Sequence, residues 1–181
     1  FFRTPTIAIG TSRGCPYRCL FCSTTRFWDK SRLHSVSYVV KLLYDLKRKG
    51  VTHIQIWDDL FTVDKYRLKL LAPYLRDSEI RFNCQPRINK IDKETCMILK
   101  HSGVKLCIFG FESGNSRVLS YLKNDKTLTI DKSKEAIKLC LEQGIDVQGS
   151  IILGSPTETL PEMIDTLKFM IWCLFKGVQR L

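Results

Sequence analysis

The order of apolar and polar positions along the chain predicts short strands that alternate with longer helices. Apolar, β-rich runs are each followed by a stretch in which apolar residues recur at helical spacing. Several predicted helices stop at a glycine, which accepts the left-handed conformation that ends helices. The predicted strands are 6–11, 53–58, 80–84, 104–109 and 147–153. The predicted helices are 36–49, 65–76, 93–101, 133–143 and 160–176.

Repeated strand–helix units predict a parallel sheet with right-handed crossovers, so the expected fold class is α/β. The five units predict a partial (βα) barrel or a wound sheet. No low-complexity tract or long linker divides the 181 residues, and we expect one domain over 1–181. Binding and catalytic residues of such sheets follow the carboxyl ends of the strands.

Three predicted strands alternate apolar and polar residues, whereas parallel strands covered on both faces usually read as continuous apolar runs. Because side chains alternate across a strand, we expect one polar face, which suits a cavity for a polar ligand. A sheet with one solvent-exposed face is the alternative. The candidate cavity residues are Gln55, Trp57, Asn83, Gln85, Gln148 and Ser150.

The amino-acid composition is consistent with the predicted α/β fold and changes it little. The chain is 44% hydrophobic and 26% charged, as is ordinary for a globular protein. Its net charge of +11 is spread over the predicted helices, which favours solvated helix faces and leaves RNA as an alternative partner. The longest apolar stretch, 169–175, is too short to span a bilayer. Eight cysteines without a secretory leader indicate a reducing compartment, so we expect a cytoplasmic protein.

Three cysteines stand close together after the first predicted strand. Cys15, Cys19 and Cys22 form a C-x3-C-x2-C loop, whose thiolates can converge on one inorganic centre. A 4Fe–4S cluster normally takes four cysteines, so three local ligands would leave one iron with an open position. A structural zinc site completed by Cys84 or His34 is the alternative, although such sites usually show two C-x2-C pairs. The other five cysteines stand singly in apolar segments and are expected in the core.

The cysteine loop, with Phe21 before its last cysteine, resembles the cluster loop of the radical S-adenosylmethionine (radical SAM) superfamily. Further runs are similar, in order, to motifs of the branch that holds the cobalamin-binding-type enzymes and the methylthiotransferases. They lie at 13–16, 32–35, 58–61, 110–114 and 154–158. Barrels of this family usually have six units, so the resemblance implies that a sixth strand would begin near 177–181. It also implies that the last strand and any flanking domains lie outside this chain.

The resemblance implies a 4Fe–4S cluster on the three cysteines, with S-adenosylmethionine chelating the fourth iron. An electron from the reduced cluster would cleave the cofactor to methionine and a 5′-deoxyadenosyl radical, which abstracts a substrate hydrogen. Further residues would bind S-adenosylmethionine through its adenine, ribose, amino and carboxylate groups. They are Phe21, Asp58, Asp59, Arg87, Glu112 and Gly154. Loop packing, helix capping and a surface ion pair are the alternatives for Phe21, the two aspartates and Arg87, respectively.

Two reactions are consistent with the resemblance. One is cobalamin-linked methyl transfer or rearrangement of a small molecule or lipid, with cobalamin held by a domain outside this chain. The other is methylthio transfer to tRNA or protein. The run 23–28 lacks the proline–arginine–glycine pattern typical of methylthiotransferases, which favours the cobalamin type. Either enzyme would need an electron donor such as flavodoxin or ferredoxin. A non-catalytic metal-binding βα module is the alternative of another class.

Overall fold

A five-stranded parallel sheet forms the centre of the protein, for which a computed structural model describes residues 6–181, apart from the side chain of Thr25. Its strands are β1 (Thr6–Ile9), β4 (His53–Ile56), β5 (Arg81–Cys84), β6 (Val104–Glu112) and β7 (Asp146–Ile151), adjacent in that order. A short antiparallel ribbon, β2 (Ser12–Arg13) with β3 (Arg32–Leu33), lies beside the cysteine loop. The predicted parallel α/β fold is confirmed.

The helices follow the strands as the βα pattern predicts. They are α1 (Thr24–Phe27), α2 (Val36–Arg48), α3 (Lys65–Asp77), α4 (Lys93–His101), α5 (Ser116–Lys123), α6 (Ile130–Glu142) and α7 (Leu160–Phe175). Side chains of Ser35, Asp64, Asp92 and Thr129 accept hydrogen bonds at the starts of α2, α3, α4 and α6. Among residues 6–181, no helix combines the length and apolar character needed to cross a bilayer.

Glycines end the helices in the predicted way. Gly50, Gly103, Gly144 and Gly177 all have positive φ, between 65° and 89°, and each directly follows the C-cap residue of its helix. This conformation strains residues that carry a Cβ, so each glycine stops a helix and turns the chain toward the next segment. The strand–helix alternation therefore has a local cause in the sequence.

Two of the differences from the prediction bear on the site. The strand predicted to end at 109 continues to Glu112, so the 110–114 motif begins inside β6 and not after it. The pairing of β6 with β7 shifts register between Gly110 and Glu112, which lets the strand continue past an irregularity. Helix α5, with Asn115 as its cap, lies in a stretch for which no helix is predicted.

The hydrophobic core lies between the sheet and the helices. Its largest fully buried side chains include Phe82, Phe109 and Phe111. The five cysteines outside the loop are all buried, as predicted. Near the end of the chain, Arg180 pairs in parallel with Gln148 of β7, where the sixth strand is predicted to begin.

Candidate active site

A cavity of about 310 Å³ opens at the carboxyl ends of the strands, next to the cysteine loop. Its size lies within the range of small-molecule sites. The lining comes from that loop, from the segments after β4 and β5, and from the ends of β6 and β7. Nine of the predicted site residues meet there: Cys15, Cys19, Phe21, Cys22, Asp59, Gln85, Arg87, Glu112 and Ser150.

Hydrogen bonds hold the cysteine loop at both ends. Gly14, with φ of 83°, donates its N–H to Asp59 Oδ2 at 2.7 Å. A Cβ at Gly14 would lie 2.6 Å from the carbonyl oxygen of Lys30, so only glycine fits. At the other end, the N–H of Leu20 donates to the carbonyl of Leu122 in α5, at 2.8 Å. Cys15, Cys19 and Cys22 are all half-buried. Burial raises the pKa of the Cys15 thiol.

The adjacent aspartates after β4 differ in their surroundings. Asp58 is 1% exposed, and its two oxygens accept hydrogen bonds from Thr11 and Ser12 at 2.5–2.9 Å. It therefore ties the segment between β1 and β2 to the segment after β4, and it lies outside the cavity lining. Asp59 is exposed, lines the cavity, and accepts from Gly14 and from the Thr24 hydroxyl at 3.1 Å. Neither caps α3, because Asp64 does.

A buried ion pair lies beside the cavity at the end of β6. Lys123 Nζ donates to Glu112 Oε1 at 2.7 Å, and both side chains are at least nine-tenths buried. Glu112 has φ of 61°, which is uncommon for a residue with a side chain. Lys123 Nζ also lies 5.5 Å from the ring centroid of Phe21. The pair thus links the strand end, α5 and the cysteine loop.

Two glycines of the 110–114 motif make room for neighbouring groups. A Cβ at Gly110 would lie 2.1 Å from Glu112 Oε1 and 2.9 Å from Lys123 Nζ, so this glycine makes room for the ion pair. A Cβ at Gly114 would lie 2.5–2.7 Å from atoms of α7, so this glycine allows strand end and helix to pack closely. The motif around β6 therefore shapes the site through packing.

The fifth-strand motif lies outside the cavity lining. Gly154 is exposed with φ of 74°, in a turn whose N–H groups donate to Glu158. Glu158 closes this turn and does not cap α7. The cap of α7 is formed by Thr159 and Glu162.

Arg87 is buried against the cysteine loop, 8% exposed. Its Nη1 donates to Cys19 Sγ at 3.3 Å, and its Nη2 donates to Asp125 Oδ2 at 3.2 Å. Its guanidinium carbon lies 3.8 Å from the ring centroid of Tyr17. The predicted alternative of a surface ion pair is wrong, because Arg87 and Asp125 are largely shielded from solvent.

The other candidate cavity residues are not part of the lining. Trp57 is 66% exposed, Asn83 is 8% exposed, and Gln55 and Gln148 are half-buried. Of the six candidate cavity residues, Gln85 and Ser150 line the cavity. The polar face predicted from strand alternation is therefore only partly used by this site.

The residues present fit an iron–sulfur cluster. The three loop thiols line one cavity, and thiolates are the ligands that such clusters take. In the same cavity, the buried Arg87 Nε has no acceptor within residues 6–181. An unpaired buried donor costs about 1–3 kcal/mol, so this atom marks a place where a bound group could supply an acceptor.

The zinc alternative finds less support in the geometry. Cys84 is fully buried with its Sγ 4.0 Å from that of Cys107, and His34 stacks on Tyr38. Neither lines the cavity that the three loop cysteines share. Within the described part of the chain, no three Cys, His, Asp or Glu side chains are placed to hold a single metal ion. In a cluster, by contrast, each thiolate binds a different iron.

A larger groove, of about 560 Å³, lies between α3 and α4. Its lining includes Ala72, Pro73, Met97 and Ile98, and none of the cysteines or strand-end residues. Nine of the predicted site residues, including the three loop cysteines, line the smaller cavity, which is therefore the candidate active site.

Comparison with known proteins shows the family of the chain. The model of the radical SAM superfamily matches residues 9–170, and the chain belongs to this superfamily. The chain is 33% identical, over 88% of its length, to an uncharacterized methyltransferase of Pyrococcus horikoshii, and covers 35% of that protein. It is 30% identical, over 93% of its length, to a putative methylthiotransferase of Methanocaldococcus jannaschii, and covers 40% of it.

A solved structure shares the fold. The radical S-adenosylmethionine methyltransferase TsrM from Kitasatospora setae, with cobalamin and a 4Fe–4S cluster bound, superimposes with a TM-score of 0.84. It is 19% identical, with 94% of this chain and 33% of TsrM covered. The chain thus spans between a third and two fifths of the length of these proteins.

Proposed function

We propose that the chain is the core of an enzyme that binds a 4Fe–4S cluster through Cys15, Cys19 and Cys22 and uses it to cleave S-adenosylmethionine. Radical SAM proteins use these two cofactors, and this chain belongs to that superfamily. The observation that carries the proposal is the convergence of the three thiols, Arg87 and Glu112 on one cavity at the strand ends.

When bound, the cluster supplies one electron for breaking a carbon–sulfur bond of S-adenosylmethionine. The chain's own residues orient that cofactor. Asp59 is accessible in the cavity and has lone pairs left to accept from an ammonium group. Glu112, held by Lys123, is placed to accept from ribose hydroxyls. Phe21 is 47% exposed at the cavity and offers a ring face to adenine.

The cavity also limits water at the reacting groups. Five further apolar side chains belong to its lining, and removing water from a site of radical chemistry suppresses side reactions. They are Leu60, Pro86, Ile88, Ile108 and Phe109. The wall of the cavity thus combines charged groups with apolar and neutral polar side chains.

The overall reaction that we propose is methyl transfer to a small molecule, linked to cobalamin held outside this chain. The relative from Pyrococcus horikoshii, described as a methyltransferase, and the shared fold of a cobalamin-binding methyltransferase support it. The electron would come from a donor such as flavodoxin or ferredoxin. A cytoplasmic setting with reduced thiols completes the proposal.

Methylthio transfer to tRNA or protein is the second candidate. The 30% identity to a putative methylthiotransferase over nearly the whole chain favours it. The products distinguish the two, because only methylthio transfer adds sulfur together with the methyl group. Mass spectrometry of candidate substrates incubated with the full-length protein would show a mass gain of one methyl group or of one methylthio group.

Cofactor cleavage tests the core of the proposal. The anaerobically reconstituted chain, reduced with dithionite, should convert S-adenosylmethionine to 5′-deoxyadenosine and methionine, measured by liquid chromatography and mass spectrometry. Cys19→Ser should abolish this conversion, whereas Cys173→Ala, which removes a thiol from the core, should retain it. Equal cleavage by wild type and Cys19→Ser would contradict the proposal.

A further inference from the structure

Arg87 joins the cysteine loop to two distant parts of the fold. Its guanidinium contacts Tyr17 and Cys19 of the loop, and it forms an ion pair with Asp125, which follows α5. Sixty-eight positions separate Arg87 from Cys19, so the fold alone brings them together. The planar fork of an arginine allows such simultaneous contacts, whereas a lysine would present one point charge.

The backbone around Arg87 fixes this side chain. Arg87 follows β5 directly after Pro86, whose ring locks its own φ. The carbonyl of Arg87 accepts from the N–H of Lys90 in the short 3-10 turn Ile88–Lys90. The carbonyl of Gln85 accepts from the N–H of Phe61 at 3.1 Å. The guanidinium is therefore presented from a rigid strand end.

The acidic partner of Arg87 is fixed as well. Asp125 accepts from the backbone N–H and the hydroxyl of Thr127 at 3.0 and 2.7 Å, and from the side chain of Asn89 at 3.1 Å. Burial works to raise the pKa of Asp125, but the bonds from Thr127 and Arg87 outweigh it and lower that pKa. Asp125 thus stays ionised and holds one side of the guanidinium.

We propose that Arg87 is a positioning residue for the cluster, an inference that rests on the proposed function. Its hydrogen bond to the Cys19 sulfur raises the reduction potential of the cluster. One-electron reduction, by a low-potential electron donor, adds a negative charge that is spread over the irons and their sulfur ligands. A buried cation donating to one of those sulfurs stabilises the added charge. Hydrogen bonds to the sulfurs, net charge and solvent exposure are the quantities that set such potentials.

The sequence had suggested another use for Arg87, as partner of the cofactor carboxylate. Both terminal nitrogens already have partners, Cys19 and Asp125, and only Nε is left without an acceptor. A bidentate clamp on a carboxylate would require Arg87 to release one of these partners. The contacts with the loop therefore favour a role toward the cluster, and the rival role becomes an outcome of the test.

The midpoint potential of the reconstituted chain, measured by redox titration followed by electron paramagnetic resonance without S-adenosylmethionine, tests the inference. Arg87→Gln should lower the equilibrium constant for reduction about tenfold, a shift of about 59 mV to more negative potential. Arg18→Gln is the matched control. It removes an exposed charge directly before Cys19 and should change the potential less, because solvent screens exposed charges.

Binding of S-adenosylmethionine to the same variants separates the two roles of Arg87. A wild-type potential in Arg87→Gln, together with weakened cofactor binding, would overturn the inference and assign Arg87 to the carboxylate. If Arg87→Gln does not fold, the midpoint potential of Arg87→Lys is measured in its place. A potential below that of the wild type supports the inference, and an unchanged one overturns it. A wild-type chain that takes up no cluster would overturn the proposed function itself, and this inference with it.

Discussion

At the scale of single residues, Gly110 shows how a missing side chain shapes the site. The space that a Cβ would occupy is taken by the carboxylate of Glu112 and the ammonium of Lys123. The backbone of Glu112 in turn adopts a positive φ, which the pair with Lys123 and the neighbouring β7 hold in place. Three residues thus form one unit, in which a change at one position disturbs the others.

Substitution of Gly110 tests that unit. Gly110→Ala should lower the free energy of unfolding by about 1–3 kcal/mol, as overpacking in a core does, and weaken S-adenosylmethionine binding because the carboxylate must move. Gly10→Ala is the control, since its Cβ would lie 3.8 Å from the nearest atom, the carbonyl oxygen of Ser12. Denaturant unfolding and equilibrium binding measure both effects. Equal behaviour of the two variants would contradict the packing argument.

Removal of the Lys123 ammonium group should lower the free energy of unfolding more than Gly110→Ala does. Lys123→Met leaves the Glu112 carboxylate buried without its cation, which costs about 3–5 kcal/mol when a buried pair is broken. The double variant Glu112→Gln, Lys123→Met should recover part of the loss, because no uncompensated charge remains. Urea unfolding of the four proteins of this cycle measures the coupling. An unchanged stability of Lys123→Met would show that the pair is not important to the fold.

Only local parts of the site were predictable from single residues. The cysteine loop is readable because its three thiols lie within eight positions of the chain. Lys123 was not predicted as a site residue, because it reaches Glu112 only through α5, a helix that was not predicted from the sequence. The contact of Arg87 with Cys19 depends on two separate strands ending at the same edge of the sheet, and no local pattern encodes it.

At the scale of elements, α5 connects the loop, the cavity and the strand end. Its Leu122 carbonyl accepts from the N–H of Leu20, and the next residue forms the ion pair with Glu112. Helix α5 has only eight residues, fewer than the window of about 11–18 residues over which helical periodicity is read. The cap Asn115, which accepts from the N–H groups of Arg117 and Val118, was the sequence signal that could have revealed it.

Helix α4 gives a pH-dependent prediction. Partial burial works to raise the pKa of its cap Asp92, but hydrogen bonds from Lys65 and Thr95 outweigh it and lower that pKa to about 2. A pKa lower in the folded state means that the stabilisation is complete above the usual pKa of 3.8 and is lost as pH falls from there toward 2. Asp92→Ala should therefore cost about 1 kcal/mol at neutral pH and less near pH 2.

Asp92→Asn is the matched control for this titration. It keeps an acceptor for the N–H of Thr95 but has no charge, so its cap should not depend on pH between 2 and 4. Thermal unfolding of wild type and the two variants at several pH values measures the difference. A wild-type advantage over Asp92→Asn that is unchanged at pH 2 would contradict the role given to the charge.

At the scale of the whole molecule, the parallel sheet explains why distant motifs share one cavity. The carboxyl ends of β4, β5, β6 and β7 meet at one edge, and the cysteine loop follows β1 at the same edge. Glycine stops and apolar runs made this topology predictable, because they act locally in each βα unit. The continuation of β6 to Glu112 was not, because it depends on a register shift against β7.

The central claim is that three cysteines leave one iron of a 4Fe–4S cluster open for S-adenosylmethionine. The most direct measurement is the electron paramagnetic resonance spectrum of the reduced, reconstituted chain with and without S-adenosylmethionine. We predict a reduced-cluster signal whose shape changes when S-adenosylmethionine is added, since the cofactor becomes a ligand of that iron. A signal that ignores the cofactor, or a colourless protein that carries one zinc ion, would contradict it.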